Sequence, residues 1–517
     1  MHMVKTLVLM FRTRFVNSIL LCLLIFVPVQ AQQSTTRASE VIDIFNDVMR
    51  QVDVNYVDTL NYEVLTEAAI GAMLRKIDPY TVYYSKKQDK DLRMLTQGKY
   101  GGIGSIIQQR DSAIYAVNPY EGKPAQLAGI LAGDKILTVD GKKTKGMNVS
   151  EVSNNLRGEP GTTVVLEIER EGVEKPFKVS IVREDIHLEP VSYATTFVAD
   201  TLPYPIGYIA FSEFTEGSAQ AFSNALDELY YTQGARALVM DLRGNGGGIV
   251  EEALQIVNLF VDRDTKIVET RGKVTRSNNV YKTRNNPRYK DLPLVILVDK
   301  NSASASEIVS GSLKDLGRAT LIGQKTFGKG LVQNVRPVAH GGHVKVTTSK
   351  YYLPSDSCIQ GVGIMPDIVM DDSAKVDICY TLYMNHYFFD FATRYHRLHD
   401  SIAALPDFEV TDEMIHDFCA FLDERKFKYE TETSKFFADM IKMAKHEDLD
   451  SATIAQLEAL EPVLTPDFRE AISRNKEEVQ HFLGAEIMLR YYFQKGQIAY
   501  NLRFDDELKR ALKELKK

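Results

Sequence analysis

The segment from 299 to 333 carries the residue types in this chain that are most able to do chemistry. Its first part, S-A-S-A-S-E, follows the apolar run L-V-I-L-V at 294–298, which predicts a buried strand. Ser304 and Glu307 have the spacing of a capping box, so we expect a helix to begin there and to end near Gly317. A serine at such a turn would face free N–H groups and the positive end of the helix dipole, which favour an alkoxide or an oxyanion.

A hydroxyl is a poor nucleophile until a base removes its proton, and a lysine follows this serine. Lys329 lies in a G-K-G turn beside the apolar residues Phe327, Leu331 and Val332. Burial there would lower the pKa of the lysine, because a desolvated ammonium loses its proton readily. Taken singly, a Ser-Ala repeat before a helix indicates an N-cap and G-K-G indicates a hairpin turn, so neither half establishes a catalytic site.

The two halves together resemble the carboxyl-terminal processing peptidases, the Ser/Lys proteases of family S41. In that family the serine stands in S-A-S-A-S-E and the lysine in K-T-F-G-K-G, at the interval seen here, and a glutamine follows shortly after. The resemblance selects Ser304 over Ser302 and Ser306, a choice that chemistry alone leaves open. It also implies that Lys329 is the base and that Gln333 orients it.

A glycine-rich turn, R-G-N-G-G-G at 243–248, follows the apolar run A-L-V-M-D-L, which predicts another buried strand. Backbone N–H groups in such a turn can face a developing oxyanion. A phosphate cradle is the competing interpretation, but neither the Walker pattern nor G-x-G-x-x-G is present. The resemblance implies an oxyanion hole formed by this loop and by the N–H of Ala305. We assign Gly247 as the loop's donor, although Gly246, which replaces the family's usual proline, or Gly248 could serve.

Residues 97–185 resemble a PDZ domain, with Y-G-G-I-G-S-I-I leading into a strand and P-A-x-x-A-G-I-x-x-G-D spanning a short helix. Free N–H groups of Gly102, Ile103 and Gly104 would bind a terminal carboxylate while the captured peptide adds a strand to the sheet edge. The competing interpretation is a PDZ domain that only packs on the protease as a lid.

The chain as a whole, 517 residues with a net charge of −7, reads as a multidomain protein of the α/β (α+β) class. We expect an N-terminal helical region at 32–96, the PDZ domain at 97–185, a protease core at 186–372 and an all-α domain at 373–517. The resemblance implies a core of the ClpP/crotonase-like kind with the PDZ domain inserted.

The first 31 residues read as an export signal, with a basic start, an apolar run at 15–29 and small residues around Ala31. We expect cleavage after Ala31 and a periplasmic protein. An uncleaved segment that keeps the protein associated with a membrane is the alternative. The cysteines Cys358, Cys379 and Cys419 that would remain have no metal-like spacing.

No metal, cofactor or nucleic acid is expected, because His340 and His343 are too few for a metal site and no basic patch is present. The expected partners are protein or peptide substrates with free C-termini, and further copies of the chain through its terminal helical regions. The tail at 373–517 shows no motif and reads as a packing or dimerisation module, although similar helical tails occur in some family members of the Bacteroidota.

The sequence therefore predicts an exported serine endopeptidase with a Ser304–Lys329 dyad, which cleaves proteins selected through their C-terminal segments by the PDZ domain. Two alternatives remain open. One is a catalytically silent PDZ scaffold that binds protein C-termini, and the other is a relative that acts on a non-peptide ester or amide.

Overall fold

The structure, a computed structural model, describes most of the chain outside its first 38 residues. The described ranges are 39–88, 100–187, 189–198, 203–370, 378–464 and 466–516. The expected export signal and its cleavage site lie outside them. The chain divides into two compact units, the first ending at Tyr83 and the second beginning at Tyr84.

Helices make up most of the described part of the first unit, as the apolar periodicity predicts. They are α1 (39–55) and α2 (Tyr62–Arg75), followed by the short strand β1 (Val82–Tyr84). Of α2 only Leu74 is buried, and apolar α1 residues such as Phe45 are exposed. A homo-oligomer through the terminal helical regions stays a prediction.

The next part is a small antiparallel domain of the PDZ kind. Its elements are β2 (Tyr100–Gly102), β3 (Ser105–Arg110), β4 (Ala113–Pro119), α3 (Pro124–Leu127), β5 (Lys135–Val139), β6 (Lys142–Lys143), α4 (Val149–Leu156), β7 (Thr163–Glu169), β8 (Phe177–Val182) and β9 (Glu184–Ile186). The main sheet has the order β3-β4-β5-β7-β8, with β6 on β5, and β2 pairs separately with β9. Strand β3 therefore lies at the edge of its sheet.

The protease core follows the order predicted from its apolar runs. Its elements are β10 (Val191–Phe197), β11 (Ile206–Phe211), α5 (Ser218–Asp227), β12 (Ala237–Asp241), α6 (Val250–Asn258), β13 (Lys266–Gly272), β14 (Asn279–Lys282), β15 (Leu294–Val298), α7 (Ala305–Asp315), β16 (Thr320–Gly323), β17 (Leu331–Pro337), β18 (His343–Tyr352) and β19 (Ile368–Val369). The central sheet has the order β10-β11-β12-β15-β16-β19 and is parallel except for β10.

Two neighbouring strands of this sheet position the site. All residues of β12 and β15 are buried, which is typical of parallel strands covered on both faces and explains their nearly continuous apolar sequences. They pair in register, with Leu238 opposite Leu294. The glycine-rich turn after β12 and the serine-rich turn after β15 therefore emerge side by side, at the edge where open α/β sheets bind ligands.

The last part of the chain is helical, as predicted. Its helices are α8 (Ile378–Met384), α9 (Tyr387–Leu398), α10 (Asp412–Glu424), α11 (Glu432–His446), α12 (Ser451–Leu464), α13 (Phe468–Arg474), α14 (Lys476–Asn501) and α15 (Asp506–Glu514). Most of these helices share a core of their own, but α15 packs against the protease sheet. Among the described helices, none is both long and apolar enough to cross a membrane.

Candidate active site

Ser304 lies where the chain turns from β15 into α7, as the sequence predicts. It is the N-cap of the helix, is 8% exposed, and has φ 57° and ψ −110°. A non-glycine residue with positive φ is uncommon, and such strain costs about 1–3 kcal/mol, so it persists only where the surroundings enforce it. Here the buried neighbours Ala303 and Ala305 have side chains small enough for the tight turn. The turn sets Ser304 at the positive end of the helix dipole.

The two flanking serines have structural hydrogen bonds. The Ser302 hydroxyl donates to the carbonyl of Leu242 at 2.8 Å, and the Ser306 hydroxyl donates to the carbonyl of Asn245 at 2.9 Å. Both bonds are buried and tie the serine turn to the neighbouring glycine-rich turn. Only the fold supplies this reason for choosing Ser304 among the three.

Glu307 joins the serine turn to the lysine turn. Its side chain is fully buried, and its Oε2 accepts hydrogen bonds from the backbone N–H groups of Ser304 and Lys329, both at 2.8 Å. Oε1 accepts from the N–H of Gly328 at 2.7 Å and from the Thr326 hydroxyl at 2.6 Å. The backbone nitrogens of Ser304 and Lys329, which share Oε2, therefore lie within two hydrogen-bond lengths of each other. The sequence showed Glu307 only as a capping residue, because its other three donors come from a distant turn.

Lys329 lies half-buried in the turn between β16 and β17. Desolvation by burial lowers the pKa of its ammonium group, and the positive charge of Lys345 lowers it further, whereas the negative charge of Glu307 acts the other way. The expected dry surroundings are confirmed for Leu331, but Phe327 is 57% exposed. The amine therefore faces a partly open setting, and its own burial is the main cause of its lowered pKa.

Gln333 lies on β17, directly after a shift in the pairing register with β18. Its side-chain amide donates to the Thr347 hydroxyl across the strands at 3.4 Å. The orienting of Lys329 that the resemblance implies stays a prediction. Asp315 is the last residue of α7, and its carboxylate accepts the Ser355 N–H at 3.0 Å.

The glycine-rich turn lies against Ser304 at one glycine in particular. Gly247 has φ 94°, and a Cβ built on it would lie 2.5 Å from the Ala303 carbonyl oxygen, 2.8 Å from Ala305 N and 2.8 Å from Ser304 Cβ. A Cβ built on Gly246 would have no atom within 4 Å, its chain neighbours aside. Close approach to the serine turn therefore requires glycine at position 247.

Asn245 holds this turn in place, a residue that sequence reasoning missed. It is fully buried, its side-chain amide donates to the Phe211 carbonyl at 2.7 Å, and its Oδ1 accepts the Gly247 N–H at 2.9 Å. Its carbonyl accepts the N–H of Ala303 at 3.0 Å. The signal available in the sequence was a polar residue between glycines after a buried strand. It could not show the partners of Asn245, which come from β11, from the same turn and from the serine turn.

Comparison with known proteins assigns this chain to a family. Residues 205–370 match peptidase family S41, residues 115–170 match a PDZ domain, and residues 378–515 match the C-terminal helical domain of a probable PDZ-protease. The carboxy-terminal-processing protease of Bartonella bacilliformis is 36% identical over 330 residues, which cover 63% of this chain and 74% of the relative. The chain belongs to the carboxy-terminal processing proteases of family S41.

Two further relatives of this protease are similar over comparable lengths. The carboxy-terminal processing protease CtpA of Bacillus subtilis is 34% identical over 348 residues, covering 67% of this chain and 72% of that protein. The solved structure of a photosystem II D1 C-terminal processing protease has 30% identity and a TM-score of 0.41, covering 63% of this chain and 92% of its own. The match to family S41 and the two carboxy-terminal processing protease relatives make the protein a serine-type peptidase, as the sequence predicts. Its helical tail matches the C-terminal helical domain of a probable PDZ-protease.

The PDZ residues named from the sequence lie between the end of β2 and the start of edge strand β3. Gly102, Ile103 and Gly104 are all buried, and Gly104 has φ 69° with Lys123 so close that a Cβ would clash. The carbonyl of Ile103 accepts the Ala125 N–H at 2.7 Å. Within the described ranges, no backbone carbonyl accepts the N–H of Ile103 or Gly104.

Proposed function

We propose that this protease uses Ser304 and Lys329 as a catalytic dyad. The neutral amine of Lys329 accepts the proton of the Ser304 hydroxyl, which attacks the scissile carbonyl of a polypeptide. The lysine then gives the proton to the leaving amine, and water hydrolyses the acyl-enzyme with the same lysine as base.

The observation that carries the proposal is the shared carboxylate oxygen of Glu307, which accepts the N–H groups of both dyad residues. Four hydrogen bonds to one buried carboxylate hold two distant turns in one arrangement, and charge-assisted bonds of this kind are the strong ones. The lowered pKa of Lys329 supports its role as base, because a larger fraction of the amine is then neutral near neutral pH.

The proposed oxyanion donors are the N–H groups of Ala305, at the start of α7, and Gly247. Their closeness supports the pairing, since a Cβ on Gly247 would lie 2.8 Å from Ala305 N. The Gly247 N–H now donates to Asn245 Oδ1, so it would exchange that acceptor for the oxyanion as the tetrahedral intermediate forms. Gln333 completes the proposed site by orienting Lys329.

The proposed role of the PDZ domain is to select substrates by their C-termini. The edge position of β3 supports strand addition by an extended peptide, and the N–H groups of Ile103 and Gly104 support capture of its terminal carboxylate. We propose in addition that the protein is exported and acts in the periplasm, on the evidence of its first 31 residues.

The test combines cleavage and binding. Wild-type protein and the Ser304→Ala, Lys329→Ala and Lys325→Ala variants are incubated with an unfolded protein carrying different C-terminal residues, and products are identified by mass spectrometry. Lys325 is an exposed lysine of the same turn and serves as the matched control. We expect the first two variants to lose at least about 10³-fold in kcat while still binding peptide, and Lys325→Ala to cleave normally.

Two results would contradict this proposal. Undiminished cleavage by Ser304→Ala or Lys329→Ala would remove the dyad. A wild-type protein that binds C-terminal peptides but cleaves none of them would favour the PDZ scaffold instead.

A further inference from the structure

The last helix of the chain takes part in the packing of the protease sheet. Helix α15 buries Leu508 and Ala511 in an apolar cluster with residues of four parallel strands, which include Tyr208, Val239, Leu297 and Ile322. A parallel sheet needs cover on both faces, and α15 provides part of that cover. The end of the C-terminal domain is thus a component of the protease core.

Beside this apolar contact lies an ionic one, centred on Arg243. Its Nη1 donates to Glu507 Oε2 and its Nη2 to Asp505 Oδ2, both at 2.6 Å. Its Nε donates to Asp241 Oδ1 at 2.9 Å, and the Tyr208 hydroxyl donates to Asp241 Oδ2 at 2.7 Å. We call these five residues the Arg243 cluster. Through it one guanidinium joins the end of β12 to the start of α15.

The burial of these groups makes the contact stronger than a surface ion pair. The exposed fractions of the side chains are 24% for Arg243, 11% for Asp505 and 18% for Glu507. Exposed pairs contribute little because water and salt screen them, whereas a planar guanidinium shared between several partly buried carboxylates is held in one geometry. The cluster can therefore act as a rigid anchor.

Arg243 is also the first residue of the glycine-rich turn, which has no helix or strand bonding over most of its length. The next N–H, that of Gly244, donates to Asp299 Oδ1 at 2.9 Å, and Asn245 accepts the Ala303 N–H. A shift of Arg243 would therefore move the rest of the turn, including Gly247, the residue that lies against Ser304.

We propose that Asp505 and Glu507 are positioning residues for the peptidase reaction: they hold Arg243, and Arg243 holds the glycine-rich turn against the nucleophile. The inference rests on the proposed function, since it assumes that this turn serves the oxyanion. It gives the C-terminal helical domain a part in catalysis, because α15 supplies two of the three carboxylates bound to Arg243.

The substitutions Asp505→Asn and Glu507→Gln remove these charges while disturbing little else. Asp505 caps α15 by accepting the Leu508 N–H at 2.8 Å, and asparagine is an equally good N-cap. Burial raises the pKa of Glu507, whereas its bond to Arg243 acts the other way, and glutamine removes the charge while keeping nearly the same side-chain shape. Asp506→Asn is the matched control, because Asp506 is exposed and pairs with Lys509 on the same helix.

The experiment measures kcat, KM and Tm of the full chain with a fluorogenic peptide. For the double variant we expect kcat to fall about tenfold or more, since a misplacement of about 1 Å can cost about 10²-fold. KM should stay within about twofold, because the turn acts on the transition state more than on bound substrate. The Tm should shift by less than about 4 °C, and Asp506→Asn should match the wild type in all three.

A kcat within about twofold of the wild type in the double variant would overturn the inference. The inference would also be overturned if kcat of the double variant fell only in proportion to its loss of folded protein, while the single variant Glu507→Gln kept the wild-type kcat. The variant Ser304→Ala, measured alongside, distinguishes failure of the proposed function from failure of the positioning role. If Ser304→Ala stays active, the proposed function fails. If Ser304→Ala is inactive while the double variant keeps its activity, only the positioning role fails.

Discussion

The Glu307 carboxylate and the Arg243 cluster each hold separate segments of the chain together, but through different kinds of interaction. Glu307 is fully buried and accepts four hydrogen bonds from neutral donors, all within 22 positions of itself. The Arg243 cluster is partly exposed, is ionic, and joins residues 264 positions apart. Glu307 holds the serine turn to the lysine turn, and the Arg243 cluster holds the start of the glycine-rich turn to the C-terminal domain.

This difference shows which parts of the site are held within the protease core and which depend on the C-terminal helical domain. Ser304 and Lys329 are held by bonds within the protease core, so their arrangement should persist whatever the helical domain does. The glycine-rich turn, in contrast, has an anchor outside the segment matched to family S41. The predictions below test this contrast, beginning with the largest effect.

Replacing Glu307 by glutamine should abolish activity and destabilise the fold. The amide would turn its NH2 group toward backbone N–H groups that now have an acceptor, and each buried donor left unpaired costs about 1–3 kcal/mol. Urea unfolding and peptide cleavage measure the two effects. Glu216→Gln, the same change at an exposed position, is the control. An active, stable Glu307→Gln protein would show that the dyad is not held by this carboxylate.

Adding one methyl group should distinguish two adjacent glycines. Gly247→Ala would drive a Cβ into the Ala303 carbonyl at a positive φ, so we expect kcat to fall about 10²-fold. Gly246→Ala has open space and should keep most of the activity. The comparison is made by kcat at saturating peptide. Equal effects of the two changes would mean that Gly247 has no special contact with the nucleophile.

Removing the charge of Lys345 should move the pH profile. Only neutral Lys329 is active, so kcat/KM rises with pH through its pKa, which lies below that of an ordinary lysine. The positive charge of Lys345 contributes to this lowering, so Lys345→Met should raise the pKa and shift the rising limb to higher pH. Lys350→Met, at an exposed position of the same strand, should leave the profile in place. A shift in the opposite direction would contradict the assignment of Lys329 as the base.

The smallest expected effect is the response to salt. At 1 M salt the screening length falls to about 3 Å, so the partly exposed Arg243 cluster should weaken and kcat should drop about twofold. The fully buried Glu307 is not screened. The Asp505→Asn, Glu507→Gln double variant should show no such drop when kcat is measured at saturating peptide. An equal salt response in both proteins would argue that the cluster does not influence catalysis.

Local patterns predicted most of the elements correctly. The apolar runs at 237–242 and 294–298 became buried parallel strands, and the capping box at Ser304 began α7. These signals depend on periodicity and on caps within a few residues, which a sequence displays directly. The PDZ strands followed for the same reason, and their order identified the domain.

Contacts between distant segments could not be read in this way. Glu307 looked like a capping residue because its bond to the Ser304 N–H is local. Nothing in the neighbouring sequence indicates that it also binds a turn about 20 residues later. In the tail, apolar residues recur at i, i+3 and i+4, as in any amphipathic helix, so α15 could not be told from helices that pack only on one another.

By itself the sequence determined the order of the strands and helices, the PDZ domain, and, through its resemblance to family S41, the pair Ser304 and Lys329. Only the tertiary structure decided that one carboxylate receives both their N–H groups, that Gly247 is the glycine lying against Ser304, and that α15 pairs with the first residue of that glycine-rich turn. The physical reason is range: propensity and capping act over a few residues, whereas buried hydrogen bonds and ion pairs join whatever segments the packed core brings together.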